Sequence, residues 1–262
     1  MPAELEQILI AVNRLLERLE RALAAERHFA ANSAHELRTP IAAVLAQMQL
    51  LSAQLAATPQ AERAARIVGQ IKGLSSLAEK LLQLSRTGAG LVLQRNPVDV
   101  LQVVQLLVDE FRRQHGVGDR LRMMVADGAD FIVQAEIDGI GIALRNLIEN
   151  AVRYGAPDEP IDVVVDRDYR IRVLNGGSVI PPEALAMLKK PFVRGPSNGI
   201  GSGLGLAIVD NIMKQLGGDV ILASPVMGRS TGFEARLVFA ATKATLLEKE
   251  LADVGKRAVC NV

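Results

Sequence analysis

The sequence predicts an α+β protein with two parts: a helical hairpin that pairs with a second copy into a dimeric four-helix bundle, and a two-layer α/β sandwich. Three observations predict this architecture. Apolar residues repeat every seven positions near the start, a proline turn separates two long apolar stretches, and short alternating segments mix with helices after Gly90. A seven-residue apolar repeat indicates a coiled-coil seam. Strands and helices that do not follow strict βαβ order favour helices packed on one face of a sheet.

The first part is predicted from apolar spacing. The spacing 4, 3, 4, 3, 4 begins at Leu5 and continues, less strictly, to Leu55, and Thr58-Pro59 then interrupts it. A second apolar helix follows and ends near Thr87-Gly88. Its apolar positions are Ile67, Ile71, Leu74, Leu77, Leu81 and Leu84. A lone hairpin with so wide an apolar face would be left half exposed, so two copies are expected to pair.

The second part is predicted from alternating segments and helix signals. The stretch "NPVDVLQVVQLLVDEFRRQ" predicts a helix that starts after Pro97, and "LRMMV" and "DFIVQA" predict strands. A helix follows from about Ile137 to Tyr154, and "IDVVVDRDYRIRVLN" predicts two strands around a turn at 166–168. The stretch "GLGLAIVDNIMKQLGG" predicts a helix that ends at glycine, and "DVILAS" and "FEARLVF" predict the last strands. Residues 246–262 are expected to form a charged tail.

Composition excludes several function classes. The 262 residues carry a net charge of +1, which gives no basis for nucleic-acid binding, because that function needs a strongly basic face. A single cysteine, Cys260, excludes a disulfide framework and favours a reducing compartment. The apolar runs are shorter than the ~18 residues of a membrane span. Residues 2–7 lack the basic start of a signal peptide. The chain as it stands is expected to be soluble.

One helix of the second part carries a polar cluster suited to phosphate and Mg²⁺. Asn146 and Asn150 are four residues apart, so they lie on the same side of the predicted helix. Asparagine offers a neutral hard oxygen for Mg²⁺. Arg153 and Tyr154 follow within a turn, and the arginine offers a planar fork for phosphate. An asparagine pair alone is more often a solvated helix face, so this cluster needs support from other segments.

Three glycine-containing stretches supply that support. The stretch "NGGSVIPP" ends a strand in the pair Gly176-Gly177, and "KKPFVRGPSNGIG", residues 189–201, is typical of a mobile lid loop. The stretch "GSGLGLAIV" from Gly201 places glycines at the start of a helix, where free N–H groups favour phosphate. Each stretch alone is most often an ordinary turn. Together, and in this order, they indicate nucleotide binding.

These motifs resemble those of a known family. The stretch "HFAANSAHELRTP" resembles an H box, "LRNLIENAVRY" an N box, "VLNGGSVIPP" a G1 box, "PFVRG" an F box and "GSGLGLAIV" a G2 box. Over roughly residues 25–240 the chain resembles the cytoplasmic core of a two-component sensor histidine kinase.

The resemblance implies four segments. Residues 27–88 would form a HisKA-type dimerisation and histidine phosphotransfer domain, and residues 89–245 a GHKL-type catalytic ATP-binding domain. Residues 1–26 resemble the last helix of a HAMP linker, and residues 246–262 would be a C-terminal tail. The chain would then be the cytoplasmic portion of an inner-membrane sensor whose membrane spans and sensor domain lie upstream.

For the H box, the resemblance implies that His35 accepts the phosphoryl group. An unperturbed histidine has a pKa of ~6.5, so a neutral, nucleophilic ring nitrogen is available at pH 7. Glu36 would orient the other ring nitrogen or accept its proton. Thr39, one turn later, would position a water that removes the phosphoryl group from the partner protein, and Pro40 would bend the helix. His28 lacks a following glutamate and is interpreted as structural.

For the nucleotide, the resemblance implies that Asn150 holds Mg²⁺, with Asn146 in support, that Arg153 contacts phosphate and that Tyr154 packs near adenine. Asn175 stands where the family has an adenine-reading aspartate, and its Oδ1 can still accept a hydrogen bond from the adenine amino group. Val179 replaces a usual glycine. The remaining candidates are an arginine for the transferred phosphate and glycines that let the backbone approach the nucleotide: Arg194, Gly177, Gly201, Gly203 and Gly205.

The predicted function is ATP-dependent autophosphorylation on His35 and transfer to an aspartate of a response regulator, together with phosphatase activity on the phosphorylated regulator. The implied cofactors are ATP and Mg²⁺, and the implied partners are a second copy and a receiver domain. One alternative is an ATP hydrolase of the gyrase and Hsp90 type, in which a glutamate precedes the Mg²⁺-binding asparagine by four residues. Here that position is Asn146, which cannot act as a base. Another alternative, a relay or scaffold dimer, is motivated by the altered G1 box.

Overall fold

The computed structural model describes residues 36, 39–88, 96–114, 117–127, 131–195 and 201–240. The chain divides into two compact units, Met1–Leu91 and Val92–Val262. The predicted coiled-coil residues 1–26 and the predicted tail 246–262 lie outside the described residues. No helix within the described ranges is long and apolar enough to cross a membrane.

The first unit contains the two predicted helices. Helix α1 covers residues 39–54 and helix α2 covers Ala61–Gly88. Between them the Thr58 amide and hydroxyl both donate to the Leu55 carbonyl, at 2.9 and 2.8 Å, and the Ala61 amide donates to the Thr58 carbonyl at 3.1 Å. These bonds satisfy the end of α1 and begin α2. The predicted break at Thr58-Pro59 is therefore confirmed.

Both helices leave large apolar side chains uncovered in the single chain. Five of them are between 41% and 68% exposed: Val44, Leu50, Leu51, Leu74 and Leu81. Val44 and Leu51 are seven residues apart, and so are Leu74 and Leu81. A seven-residue spacing keeps both members of each pair on one side of a helix. Each helix therefore presents an apolar stripe that the described part of its own chain does not cover.

The second unit is built around a five-stranded sheet in the order β2-β4-β5-β7-β6. Its strands are β2 Leu121–Val125, β4 Ile161–Asp166, β5 Arg170–Asn175, β6 Asp219–Ala223 and β7 Phe233–Val238. The β2–β4 pair is parallel and the other three pairs are antiparallel. The longer helices are α3 Val100–Gln114, α4 Ile137–Tyr154 and α6 Gly205–Gln215. The predicted limits of α4 and the predicted turn between β4 and β5 are confirmed.

The sequence-based prediction is wrong at the start of this unit. Residues Asn96–Asp99 form a strand, β1, and α3 begins only at Val100. Strand β1 pairs antiparallel with β3, Ile132–Ala135, so the strand predicted from "DFIVQA" belongs to a separate two-stranded sheet. The Asp99 carboxylate accepts hydrogen bonds from the amides of Leu101 at 3.0 Å and Gln102 at 3.4 Å. Aspartate at this position caps a helix start, which places the start of α3 after Asp99.

Two short elements were not predicted. Residues Gly118–Arg120 form a 3₁₀ turn before β2, and Pro182–Met187 form a helix, α5, between β5 and the "KKPFVRG" stretch. Proline at the first helical position is preorganised for a helix start. Helix α5 is only 6 residues long, too short to show an apolar period.

The core lies between the sheet and one layer of three helices. Alternate residues of the central strands are buried on this side, and α4 packs against both α3 and α6. The contributing side chains include Ile161, Val163, Ile171, Ile140, Leu144, Ile148, Ile208 and Met213. Apolar alternation in strands and a period near 3.6 in helices bring these side chains to one interface. The predicted two-layer α/β sandwich is confirmed.

The other side of the sheet buries two carboxylates. Asp162 on β4 accepts from Arg122 at 2.6 Å and from Arg229 at 3.2 Å. Glu234 on β7 is 1% exposed, and its Oε1 accepts from Arg236 at 2.6 Å. The second oxygen, Oε2, has no hydrogen-bond partner within the described ranges. Burying a carboxylate is costly unless a cation is paired with it, so the Arg236 guanidinium is the main compensation for Glu234.

We therefore expect Arg236→Leu to lower the free energy of unfolding by about 3 kcal/mol, because it leaves a buried carboxylate unpaired. The double variant Glu234→Leu/Arg236→Leu should recover most of that loss, since the pair is replaced by apolar contacts. Urea unfolding followed by circular dichroism measures both. Equal stabilities of the wild type and the single variant would contradict the role given to this pair.

Candidate nucleotide-binding site

The site begins where α4 faces the first residue of α6. A Cβ atom added to Gly205 would lie 3.3 Å from Asn146 Oδ1 and 3.3 Å from Asn150 Nδ2. The predicted asparagine pair and the first glycine of the predicted helix therefore meet, although 55 positions separate Gly205 from Asn150 in the chain. Any side chain at Gly205 would occupy the space beside the two amides.

Asn146 has an unused oxygen in this space. The side chain is 3% exposed, and its Nδ2 donates to the Ile142 carbonyl at 2.9 Å. Its Oδ1 is buried and has no hydrogen-bond partner in the part of the chain that the structure describes. An unsatisfied buried acceptor costs about 1–3 kcal/mol. A hydrated cation or a hydrogen-bond donor on a ligand would remove that cost. The two asparagine side chains therefore fit Mg²⁺ bound together with phosphate.

The next turn of α4 meets the other end of the glycine segment. The Tyr154 hydroxyl lies where a Cβ on Gly201 would stand, and Arg153 Nη1 is 3.5 Å from that position. Both side chains are exposed. The predicted phosphate-binding arginine and the predicted adenine-packing tyrosine therefore lie over Gly201, one turn along α4 from Asn150.

Gly203 lies between these two contacts and needs to be glycine. Its φ is +68°, and an added Cβ would be 2.8 Å from both the Phe192 carbonyl carbon and the Val193 oxygen. The Phe192 amide donates to the Gly203 carbonyl at 3.0 Å. This bond joins the "PFVRG" stretch to the residues that lead into α6. Arg194, two residues after Phe192, is exposed, and residues 196–200 of the predicted lid lie outside the described residues.

The end of β5 approaches the end of α4. Asn175 is buried, and its Nδ2 donates to the Gly176 carbonyl at 2.7 Å. A Cβ added to Gly155, the residue after Tyr154, would be 3.1 Å from Asn175 Cβ. Gly177 has a φ of +131°, and its carbonyl accepts from the Gly232 amide at 2.9 Å. The predicted adenine-reading residue therefore lies against Gly155, the residue that follows the predicted adenine-packing tyrosine.

The H box is only partly described. Glu36 and Thr39 are helical and exposed, and His35 lies outside the described residues. Pro40 is also exposed, at the second described position of α1. The roles predicted for these residues stay predictions. Val179, the departure in the G1 stretch, is exposed.

Sequence reasoning missed one contact beside the site. Lys189 Nζ lies 3.3 Å from Asp210 on α6 and 3.4 Å from Asp219 on β6. The sequence shows Lys189 only as the first residue of the predicted lid loop, and no local period connects it with a residue 21 positions later. Only the packing of α6 on the sheet brings the three side chains together.

Two titratable side chains that are not among the predicted site residues have raised pKa values. A hydrogen bond from Lys214 to Asp210, followed by the charge of that carboxylate, raises the pKa of the Lys214 ammonium. Burial, followed by the charge of Asp138, raises the pKa of the Glu136 carboxyl just before α4. Within the described ranges, no three His, Cys, Asp or Glu side chains are placed to hold a metal ion. A divalent cation here would therefore depend on Asn oxygens, phosphate and water.

Family models match both units. The model "Histidine kinase-, DNA gyrase B-, and HSP90-like ATPase" matches residues 135–241, and the model "His Kinase A (phospho-acceptor) domain" matches residues 25–90. The chain belongs to the sensor histidine kinases. Its matched domains are those of a protein-histidine kinase of a two-component system: a phospho-acceptor domain followed by an ATP-binding domain.

Curated relatives agree with this family. The chain is 32% identical over 250 residues to the sensor protein QseC of Escherichia coli O157:H7, covering 90% of this chain and 53% of that protein. It is 28% identical over 250 residues to the sensor protein kinase PmrB of Pseudomonas aeruginosa, covering 93% and 51%. The chain thus spans about half the length of the curated relatives it matches.

A solved structure shows the same fold. The crystal structure of full-length ShkA in complex with AMPPNP aligns with a TM-score of 0.59 at 24% identity, over 81% of this chain and 46% of that one. At this sequence identity the likeness supports only a shared fold.

The variant Gly205→Ala tests whether the space beside Asn146 and Asn150 binds the nucleotide. Alanine favours a helix by up to about 1 kcal/mol over glycine, which offsets the tight 3.3 Å contacts that its Cβ makes with the two asparagines, so the variant should still fold. Its Cβ would nevertheless fill the space beside Asn146 Oδ1 and Asn150, and we expect the affinity for Mg·ADP to fall about tenfold, or about 1.4 kcal/mol. Calorimetric titration measures this affinity.

Gly141→Ala is the matched control. Gly141 lies on α4, like the two asparagines, and a Cβ added to it would have no atom within 4 Å. It should bind Mg·ADP like the wild type. If Gly205→Ala binds as tightly as Gly141→Ala, the space beside the asparagines is not the nucleotide site.

Proposed function

We propose that this kinase transfers the γ-phosphoryl group of ATP to His35, passes it to an aspartate of a response regulator receiver domain, and also dephosphorylates the phosphorylated regulator. One observation carries the proposal. The buried Oδ1 of Asn146, which has no partner among the residues that the structure describes, and the side chain of Asn150 meet the glycine start of α6. The phospho-acceptor match over residues 25–90, which include His35, supports this histidine as the acceptor.

The nucleotide would be held from three sides. Asn150, supported by Asn146, would provide oxygens for Mg²⁺. The free N–H groups at the start of α6 and the nearby Arg153 would take phosphate oxygens, and Arg194 would neutralise the transferred group. At the other end, Asn175 Oδ1 would accept from the adenine amino group beside Tyr154. Mg²⁺, when bound, supplies charge neutralisation at the phosphates.

The phospho-acceptor residues would divide the remaining work. In the kinase step, a ring nitrogen of His35 forms a bond to the γ-phosphorus while the bond from that phosphorus to the ADP oxygen breaks. Glu36 orients the ring and takes its proton. In the phosphatase step, the Thr39 hydroxyl holds a water in line with the aspartyl phosphate of the regulator. Both side chains are exposed on their helix, so a partner can reach them.

The acceptor is tested with γ-labelled ATP and Mg²⁺. The wild type should become labelled, and the label should be acid-labile and base-stable, as a phosphoramidate is. His35→Gln should abolish labelling and leave Mg·ADP binding unchanged, because the nucleotide site belongs to the other unit. His28→Gln is the control and should be labelled normally. Loss of label in His28→Gln, with normal label in His35→Gln, would show that the acceptor is misassigned.

The division of labour is tested by two variants measured side by side. Thr39→Ala should keep autophosphorylation within about tenfold and strongly reduce dephosphorylation of the regulator. Glu36→Ala should lose autophosphorylation by about 10²-fold or more, the usual scale for a general base. The readouts are histidine labelling and loss of label from the purified cognate regulator. A parallel loss of both activities in both variants would mean that these residues only shape the helix around His35.

The proposal also requires a homodimer, and the apolar stripes of α1 and α2 support it. Leu74 and Leu81 are exposed in the single chain and seven residues apart. We expect a dimer at micromolar concentration and a monomer for Leu74→Glu/Leu81→Glu, measured by sedimentation. Leu106→Glu is the matched control, since Leu106 is equally apolar and 68% exposed in the other unit. A wild type that sediments as a monomer would contradict the dimer.

Two other functions make different predictions in the same assays. An ATP hydrolase needs a base near the attacking water, and the amide of Asn146 cannot supply one. It would release phosphate without labelling the chain. A relay or scaffold dimer would neither bind Mg·ADP nor become labelled from ATP. One titration and one labelling experiment therefore separate the three possibilities.

A further inference from the structure

Lys189 connects the "PFVRG" stretch to the helix that opens at the nucleotide site. Its ammonium is 3.3 Å from Asp210 Oδ1 and 3.4 Å from Asp219 Oδ1. Asp210 lies on α6, five residues after Gly205, and Asp219 is the first residue of β6. A single side chain therefore ties the segment after α5 to both a helix and a strand.

The two carboxylates differ in burial. The side chain of Asp210 is 10% exposed, whereas that of Asp219 is 62% exposed. Water and salt screen the contact with Asp219 strongly, and exposed pairs of this kind contribute little. The contact with Asp210 lies in a less polar environment, where an ion pair is screened much less. Asp210 is therefore the partner through which Lys189 acts.

The segment that follows Lys189 is short and connected to the site at its other end. Leu188 is buried, the Val193 amide donates to the Lys190 carbonyl at 3.3 Å, and the Phe192 amide donates to Gly203 at 3.0 Å. Residues 188–193 are thus held at Lys189 by α6 and at Phe192 by the residues that lead into α6. Arg194 comes directly after this doubly held stretch.

We propose that Lys189 is a positioning residue for nucleotide binding: its ion pair with Asp210 holds residues 188–193 on α6, and so places Arg194 and Gly203 relative to the phosphate-binding start of that helix. This inference rests on the proposed function, because it uses the nucleotide site at Gly205. In this proposal Lys189 acts through its contact with Asp210 and not through a contact with phosphate. Its effect is on where other groups stand.

A second lysine on the same carboxylate provides the control. Lys214 Nζ lies 2.6 Å from Asp210 Oδ2, but it belongs to the same helix as Asp210, four residues on. Its pair with Asp210 therefore connects nothing to α6. Lys189→Met and Lys214→Met remove the same charge from the same partner, and only the first releases residues 188–193.

The test measures kcat and KM for ATP in His35 labelling of the full chain. We expect Lys189→Met to raise the KM for ATP at least fivefold with kcat within about twofold, because binding is weakened while the acceptor is untouched. Lys189→Arg, which keeps the cation, should restore the KM to within about twofold of the wild type. Lys214→Met should have the KM of the wild type. Thermal melting shows whether each variant is folded.

Every outcome decides the proposal. Equal KM values for Lys189→Met and Lys214→Met, or no rescue by Lys189→Arg, would overturn it. If Lys189→Met does not fold, Lys189→Gln and Lys214→Gln replace the two methionine variants. If neither Lys189→Met nor Lys189→Gln folds, Lys189 has a purely structural role and the proposal is wrong. A wild type that is not labelled from ATP defeats the proposed function instead, and is recognised before any variant is compared.

Discussion

The packing of α4 against α6 is the constraint on which the candidate nucleotide site depends. It brings Asn146 and Asn150 to the first residue of α6 and leaves room between them only because Gly205 has no side chain. Helices that approach this closely need a small residue at the contact. The same glycine therefore serves the packing of the layer and the space for a ligand.

That packing also explains why the site contains an unsatisfied atom. Elsewhere in the described ranges of the second unit, buried carboxylates are paired with cations: Asp162 accepts from two arginines, and one oxygen of Glu234 accepts from Arg236, although its other oxygen has no partner there. Asn146 Oδ1 is buried without a partner among the described residues, beside a gap that a glycine keeps open. An uncompensated polar atom at such a place is better explained by a ligand than by stability, because a protein that needed only stability would fill the gap with an apolar side chain.

The described part of the first unit does not enclose an apolar core. Its two helices expose apolar side chains at seven-residue spacing, and the described part of the chain does not cover them. Two helices cannot enclose a core by themselves, whereas four can. In the proposed homodimer a second copy would cover these side chains, while the ATP-binding unit has its own core between helices and sheet.

The sequence by itself determined the helices and most of the strands, and it predicted the residues of the candidate site. Apolar periods and glycine stops predicted the limits of α4, and local motifs identified Asn146, Asn150, Arg153 and Tyr154. Short elements were missed: β1 runs directly into the apolar period of α3 and its end was included in that helix, and the 6 residues of α5 are too few to show a period. The pairing of β1 with β3, the orphaned oxygen of Asn146 and the bridge from Lys189 to Asp210 were decided only by the tertiary structure. Each of these depends on groups distant in the chain whose spacing in three dimensions is set by how the layers pack, and no local pattern in the sequence records that spacing.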